Sequence, residues 1–121
     1  MMKKILIMCC LIVVMAIPSF AASWYWVGED KSAGQWYIDN ASVHKNSEKG
    51  VALIWVKVVN PDGTWNQDQI GVGRTRIMVL FRSLKYDAYG EVIYDVPGDR
   101  RPLAVIPGTV SESIYDLVWG A

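Results

Sequence analysis

The stretch Val51-Ala52-Leu53-Ile54-Trp55-Val56-Lys57-Val58-Val59 decides how this chain folds. Most of its residues are β-branched or aromatic, and such side chains favour a pleated strand over a helix. Alternate positions beginning at Ala52 are all apolar, whereas the positions between them include Trp55 and Lys57. A strand with one wholly apolar face and one mixed face is typical of the interior of an antiparallel sheet. The following Asn60-Pro61-Asp62-Gly63 predicts a turn.

The first 21 residues predict a secretory signal peptide of bacterial type. Lys3 and Lys4 form a short basic region, and an apolar run follows from residue 5 to residue 17. Small residues at Ser19 and Ala21 then fit cleavage after Ala21. A membrane anchor would need about 20 apolar residues, which is longer than this run. We therefore expect an exported single domain over residues 22–121, located in the periplasm, at the cell surface or outside the cell.

The composition of the mature chain argues against two classes of protein. The whole chain has 12 basic and 12 acidic residues, so loss of Lys3 and Lys4 leaves 10 against 12 and a formal charge of −2. This balance does not favour nucleic-acid binding. Cys9 and Cys10 both lie in the signal peptide, so the mature chain has no cysteine for a disulfide or a lipid anchor. Its many aromatic residues fit a small core or an aromatic-lined binding surface.

Further strands are expected on both sides of the central one. Short alternating or apolar segments bounded by turn residues predict them at 23–27, 35–38, 43–45, 74–85 and 91–94. Within 74–85, the alternation predicts Ile77, Val79 and Phe81 on one face and Arg82 on the other. The polar segment 64–73, which ends in Gly71-Val72-Gly73, is expected to be an irregular loop with a bend or bulge at the glycines.

The C-terminal segment predicts a helix. Thr109-Val110-Ser111-Glu112 has the spacing of a capping box, and apolar residues recur at helical spacing up to about Trp119; they are Val110, Ile114, Leu117 and Val118. A single short helix is marginal alone, so it should dock on the apolar face that begins at Ala52. The predicted fold is α+β, with a five- to six-stranded antiparallel sheet and one C-terminal helix packed on one face.

Several short motifs, taken in order, resemble the surface-adhesin protein E family of bacteria. They are Trp36-Tyr37-Ile38-Asp39 with Ser42-Val43, Ile54-Trp55-Val56-Lys57, Tyr86-Asp87-x-x-Gly90-x-Val92, and Ile106-Pro107-Gly108-Thr109 before a terminal helix. The resemblance covers nearly the whole mature chain. It implies a small antiparallel sheet with one helix, and a surface protein that binds host extracellular-matrix and serum proteins and is linked to haem.

This chain departs from the family in its cysteines. Family members usually carry one cysteine before the long strand and one at the end of the helix, at places equivalent to the vicinity of Gly73 and to Trp119. The resemblance implies that packing of Trp119 replaces a disulfide worth roughly 3–5 kcal/mol, so Trp119 should be well buried. The founding type is also a lipoprotein, and this chain has no cysteine for lipidation.

The residues give little support for catalysis, so we expect no enzymatic activity. His44 is the only histidine in the sequence, and it sits beside a lysine and a loop, which favours a solvated side chain over a catalytic triad. A zinc site would need three or four cysteine or histidine ligands. The carboxylate pairs Glu29-Asp30 and Asp95 with Asp99 lie in predicted turns rather than in a positioned acid–base arrangement.

Five residues are candidates for protein contacts. Arg100 and Arg101 form an adjacent basic pair which, with Lys85 or Arg82, could hold an acidic partner, although solvated loop charges are common. Trp65 in the predicted loop is a stronger candidate because tryptophan is enriched at binding hot spots, but it could also fold back over the core.

Three functions remain open from the sequence. The first is a secreted or periplasmic non-enzymatic binding protein, similar to surface-adhesin protein E, that contacts host matrix, serum or cell-envelope proteins. The second is a small-ligand carrier that uses aromatic faces between the sheet and a partner subunit; the resemblance implies haem as the ligand, and His44 is the candidate axial ligand to test. The third is a periplasmic structural or inhibitor module.

Overall fold

The structure is a computed structural model that describes residues 23–120. The expected signal peptide and its cleavage after Ala21 lie outside the described residues. Within that range the chain forms eight strands, a short 3₁₀ turn at Asn40–Ser42 and one α-helix. The strands are β1 Trp24–Glu29, β2 Gln35–Asp39, β3 His44–Asn46, β4 Val51–Val59, β5 Trp65–Gly73, β6 Ile77–Tyr86, β7 Val92–Pro97 and β8 Leu103–Ala104, and the helix is α1 Val110–Trp119.

All strands belong to one antiparallel sheet. Its main path has six strands in the order β1-β2-β4-β5-β6-β7, while the short β3 pairs with β4 and the short β8 pairs with β6. The α+β prediction is therefore confirmed, and the sheet exceeds the predicted five to six strands by two, since β5 and the short β8 were not among the predicted strands. No helix within residues 23–120 has the length and apolarity needed to cross a membrane.

The central strand β4 behaves as its alternation predicts. Its residues are buried and half-buried in turn, and Ala52, Ile54 and Val56 are each at most 1% exposed. The turn after it forms as expected, because the Asn60 N–H donates to the Thr64 carbonyl at 2.8 Å and Gly63 adopts a positive φ of 93°. Such a φ favours glycine, which has no Cβ to clash with the backbone.

The prediction of an irregular loop at residues 64–73 is wrong. Trp65–Gly73 forms β5, which pairs along its whole length with β4 and with β6. Its sequence looked like a loop because of the polar run from Asn66 to Gln69. In the folded sheet, pairing with strands on both sides outweighs the weak strand preference of these residues, since β-propensity depends strongly on context.

The helix packs on the apolar face of β4, as expected. Ile114, Tyr115 and Val118 share one buried cluster with Ile54 and Val56. The expected stripe is wrong at Leu117, which is 48% exposed, because Tyr115 takes the buried position. We call this side of the sheet the helix face. Burial of large side chains here supplies the main hydrophobic stabilisation of the domain.

Polar contacts hold the helix to the start of β6 and the end of β5. The Tyr115 hydroxyl donates to the Arg74 carbonyl at 2.7 Å, and Trp119 Nε1 donates to the Val72 carbonyl at 3.0 Å. Arg76 Nη2 lies 3.0 Å from Glu112 Oε2. Trp119 is half-buried, whereas the sequence predicts that it is well buried. One face of its ring lies near the surface, where the Arg74 guanidinium carbon is 4.6 Å from the ring centroid.

The capping box differs in detail from the prediction. The Glu112 carboxylate accepts from the Gly108 N–H at 3.0 Å instead of the Thr109 N–H, and the Thr109 hydroxyl donates to the Ile106 carbonyl at 2.6 Å. The Pro107-Gly108 turn brings the Gly108 N–H to the first helical turn, so Glu112 still satisfies a backbone donor there. This hydrogen bond, with Arg76, lowers the pKa of Glu112.

Candidate functional site

The side of the sheet away from α1 carries most of the large aromatic residues. We call it the open face. On β4 it presents Leu53, Trp55, Lys57 and Val59, and strand register places the following aromatic residues on the same side: Trp24, Trp26, Tyr37, Trp65 and Tyr86. Trp26 is 54% exposed, and the other members of this set are half-buried. A face that only contacts water would carry mainly polar side chains.

Lys57 lies at the centre of this aromatic surface. Its ammonium is 5.2 Å from the Trp65 ring centroid and 5.6 Å from the Trp24 ring centroid. The Trp65 ring stacks on Tyr86 with centroids 5.1 Å apart and planes 15° apart. Cation–π and stacking contacts of this kind hold the rings in place on the open face.

A groove lies beside the aromatic surface, and a bulge in β6 builds it. The β5–β6 register pairs Ile70 with Leu80 and Gln69 with Arg82, so Phe81 is the extra residue. A bulge re-aims the side chains that follow it. Phe81 and Arg82 consequently both reach the open face, which corrects the expectation that Arg82 faces away from Phe81.

Gly71 leaves the space that the Phe81 ring occupies. A Cβ built on Gly71 would lie 2.8 Å from Phe81 Cε2, closer than real Cβ contacts. The resulting Phe81 groove has a volume of about 600 Å³ and is lined by Leu53, Gln69, Phe81, Arg82, Asp95, Val96, Pro97 and Arg100. This volume lies within the range of ligand sites in proteins.

The wall of the Phe81 groove contains a bidentate ion pair between neighbouring strands. Arg82 Nε donates to Asp95 Oδ1 at 2.9 Å, and Arg82 Nη2 donates to Asp95 Oδ2 at 2.7 Å. These hydrogen bonds hold the pKa of Asp95 below its usual value. The pair is about half exposed, so it fixes the orientation of two groove side chains more than it stabilises the fold.

Arg100 contributes to the lining of the groove from the loop after β7. Its guanidinium lies 5.2 Å from the Phe81 ring centroid. Its backbone has a φ of 58°, which is uncommon for a residue with a side chain. Two hydrogen bonds hold this loop on the bulge, from the Gly98 N–H to the Phe81 carbonyl at 2.9 Å and from the Arg100 N–H to the Leu80 carbonyl at 3.2 Å.

The structure brings three of the five predicted contact residues to one face. Trp65, Arg82 and Arg100 all lie on the open face. Lys85 points to the helix face, because it pairs with Asn66 one position before Tyr86. Arg101 lies in the exposed loop, where its guanidinium is 3.3 Å from Asp99.

Sequence reasoning missed Phe81, Asp95 and Trp24 as parts of this site. The alternation in β4 did place Trp55 and Lys57 on the same face, which is the open face of the structure. A bulge turns Phe81 and Arg82 to the same side. The sequence of β6 alone does not predict this bulge, because a bulge is defined only by the register with the paired strand.

Groups suited to catalysis or metal binding are sparse in residues 23–120. His44 is exposed on β3 and pairs with Leu53. Asp68 on the helix face has a pKa raised by burial, which a 2.6 Å hydrogen bond from the Ser83 hydroxyl partly offsets. Within this range no three histidine, cysteine, aspartate or glutamate residues are grouped as metal ligands would be.

Comparisons of the chain with family models, curated proteins and solved structures found no match.

Proposed function

We propose that this chain is an exported, non-enzymatic bacterial binding protein that contacts host matrix, serum or cell-envelope proteins through its open face. The resemblance to surface-adhesin protein E suggests this class of partner. The supporting observation is the aromatic surface around Lys57, where Trp24, Trp65 and Tyr86 lie on a solvent-accessible side of the sheet.

The composition of the open face fits protein contact. Tryptophan, tyrosine and arginine are the residues most enriched at binding hot spots, and aromatic residues with two side-chain torsions lose little entropy when a partner binds. Large exposed apolar patches surrounded by polar groups are typical of interaction sites. Lys57, Gln67 and Gln69 supply polar groups beside the rings on this face.

Binding by the mature chain to a panel of immobilised matrix, serum and envelope proteins tests the proposal. Trp65→Ala removes the ring that both Lys57 and Tyr86 contact, and it should weaken capture by about tenfold or more if Trp65 is a hot spot. Leu117→Ala is the matched control, because it removes an exposed apolar side chain from α1 on the other side of the molecule. Equal loss in both variants, or no capture by the wild type, would contradict the proposal.

The location of the protein separates an adhesin from a periplasmic binder. Digestion by protease added to intact cells would support contact with host proteins. Protection until the outer membrane is opened would exclude an adhesin and would leave envelope proteins as the partners. In both cases, an antibody against the protein detects the remaining intact chain in each cell fraction.

A haem carrier is the second candidate, and the position of His44 favours it. His44 is exposed and pairs with Leu53, which lines the Phe81 groove. An imidazole beside a groove with an apolar floor and two arginines has the chemistry of a haem axial ligand, with cations available for the haem carboxylates. A Soret shift on haem titration that His44→Ala abolishes would support this function, whereas an unchanged shift in the variant would exclude His44 as the ligand.

A further inference from the structure

The Phe81 groove combines an apolar floor with an excess of positive charge. Phe81 and Leu53 provide the floor, and Pro97 forms part of the rim on β7. Two guanidiniums and one carboxylate line the groove, so its formal charge is +1. A ligand that matches this surface has an apolar group joined to a negative one.

The two arginines of the groove differ in whether a carboxylate of the protein pairs with them. Arg82 donates to both carboxylate oxygens of Asp95, so this ion pair largely neutralises its charge. No ion pair among residues 23–120 includes Arg100. Its guanidinium instead lies over the Phe81 ring, where its N–H groups remain able to bind a carboxylate in two-pronged fashion.

The backbone of Arg100 also indicates a positioned residue. Its left-handed conformation is one that glycine or asparagine would adopt at lower cost. Backbone strain of this kind persists where the surrounding structure enforces it, and it is concentrated at ligand sites. Here the Gly98 and Arg100 hydrogen bonds to the bulge enforce it and direct the side chain across the groove.

We infer that the Phe81 groove binds a partner peptide in which an apolar side chain adjoins an acidic one. The apolar side chain lies on Phe81 and Leu53, and its neighbouring carboxylate binds the Arg100 guanidinium. Gln69, which also lines the groove, supplies a side-chain amide for hydrogen bonds to the peptide backbone. This inference rests on the proposed function, because it names the segment of the partner protein that the open face recognises.

Fluorescence anisotropy with a synthetic peptide tests the inference. The probe is a labelled Gly-Ser peptide that carries one phenylalanine between two aspartates. We expect saturable binding that weakens by about tenfold when the aspartates become asparagines, and by a similar factor when the phenylalanine becomes alanine. Binding should also weaken with added salt, because the Arg100 contact is near the surface.

Protein variants separate Arg100 from general positive charge. Arg100→Gly removes the guanidinium and suits the left-handed backbone, so the fold should be retained. It should weaken binding of the aspartate peptide by about tenfold and leave the asparagine peptide unchanged. Arg101→Ala is the matched control, because Arg101 is adjacent in sequence but pairs with Asp99 outside the groove.

The outcomes distinguish this inference from the proposed function. Equal binding of the aspartate and asparagine peptides, or equal effects of the two arginine variants, would overturn the inference. Absence of peptide binding up to about 1 mM would also overturn it. If Trp65→Ala still abolished capture of a panel protein that Arg100→Gly captured normally, the proposed function would stand without this groove.

Discussion

The two faces of β4 differ in exposure although they alternate along a single strand. On the helix face, Ala52, Ile54 and Val56 are almost completely removed from solvent. On the open face, Leu53, Trp55 and Lys57 are half-buried and remain in contact with solvent. Because a strand directs successive side chains to opposite faces, one short sequence supplies both a buried core face and a solvent-accessible face. We infer that the helix face mainly maintains the fold and that the open face mainly recognises partners.

Deletion of a core side chain should give the largest contrast between the faces. Ile54→Ala should lower the free energy of unfolding by about 2–5 kcal/mol, because Ile54 is 1% exposed and packs in the buried cluster under α1. Leu53→Ala, its neighbour on the open face, should cost about 1 kcal/mol, since solvent already reaches Leu53. Urea denaturation measures both. Equal losses would show that the open face is also a core.

A glycine on the open face should have the next largest effect. Gly71→Ala places a Cβ against the Phe81 ring and should cost about 1–3 kcal/mol while displacing that ring from the groove. Gly73→Ala, two residues along the same strand, meets its nearest neighbour at 3.4 Å and should cost less. Thermal unfolding compares the two variants. A smaller cost at Gly71 than at Gly73 would contradict the role assigned to Phe81.

The two half-buried tryptophans Trp119 and Trp65 should respond differently to loss of the indole N–H. Trp119→Phe should cost about 0.5–1.5 kcal/mol, because Trp119 Nε1 donates to the Val72 carbonyl at 3.0 Å. Trp65→Phe should cost less, because its Nε1 donates at 3.4 Å to the Gln67 side chain. Chemical denaturation of both variants checks the order, and a reversed order would count against Trp119 as the link between helix and sheet.

Asp68 should give the smallest effect, visible only as a change in pH dependence. Burial raises the pKa of Asp68, so the folded state favours its protonated form. Its contribution to stability is present below the unfolded pKa and is lost as the pH rises through the folded pKa. Asp68→Asn removes this loss. The free energy of unfolding of the variant, relative to that of the wild type, should therefore increase as the pH is raised from 3 to neutral. A constant difference across this range would contradict a raised pKa.

The elements with strong periodicity could be predicted from the sequence. The alternation over Val51–Val59 placed β4 and its buried face, and the spacing of apolar residues placed α1. The turn chemistry at Asn60 to Gly63 was also sufficient. These elements are predictable because their local preferences agree with their tertiary environment.

The rest of the sheet depends on partners that the sequence does not mark. The sequence of β5 predicts a loop because it contains four consecutive polar residues, which have weak strand preference. The segment forms a strand because it pairs with β4 on one side and with β6 on the other. The Phe81 bulge, and with it the groove, depends on the register between β5 and β6. Trp65, Arg82 and Arg100 are candidate contact residues by residue type alone, whereas their shared face follows from that register.

Reversal of one charge at the centre of the open face tests the division between the two faces most directly. Capture of matrix, serum and envelope proteins would be measured for Lys57→Glu and for the matched Lys49→Glu in the β3–β4 turn, with the free energy of unfolding of each. We expect Lys57→Glu to abolish capture while the protein stays folded, and Lys49→Glu to bind like the wild type. Unchanged capture by Lys57→Glu, or equal loss in both variants, would contradict the assignment of recognition to the open face.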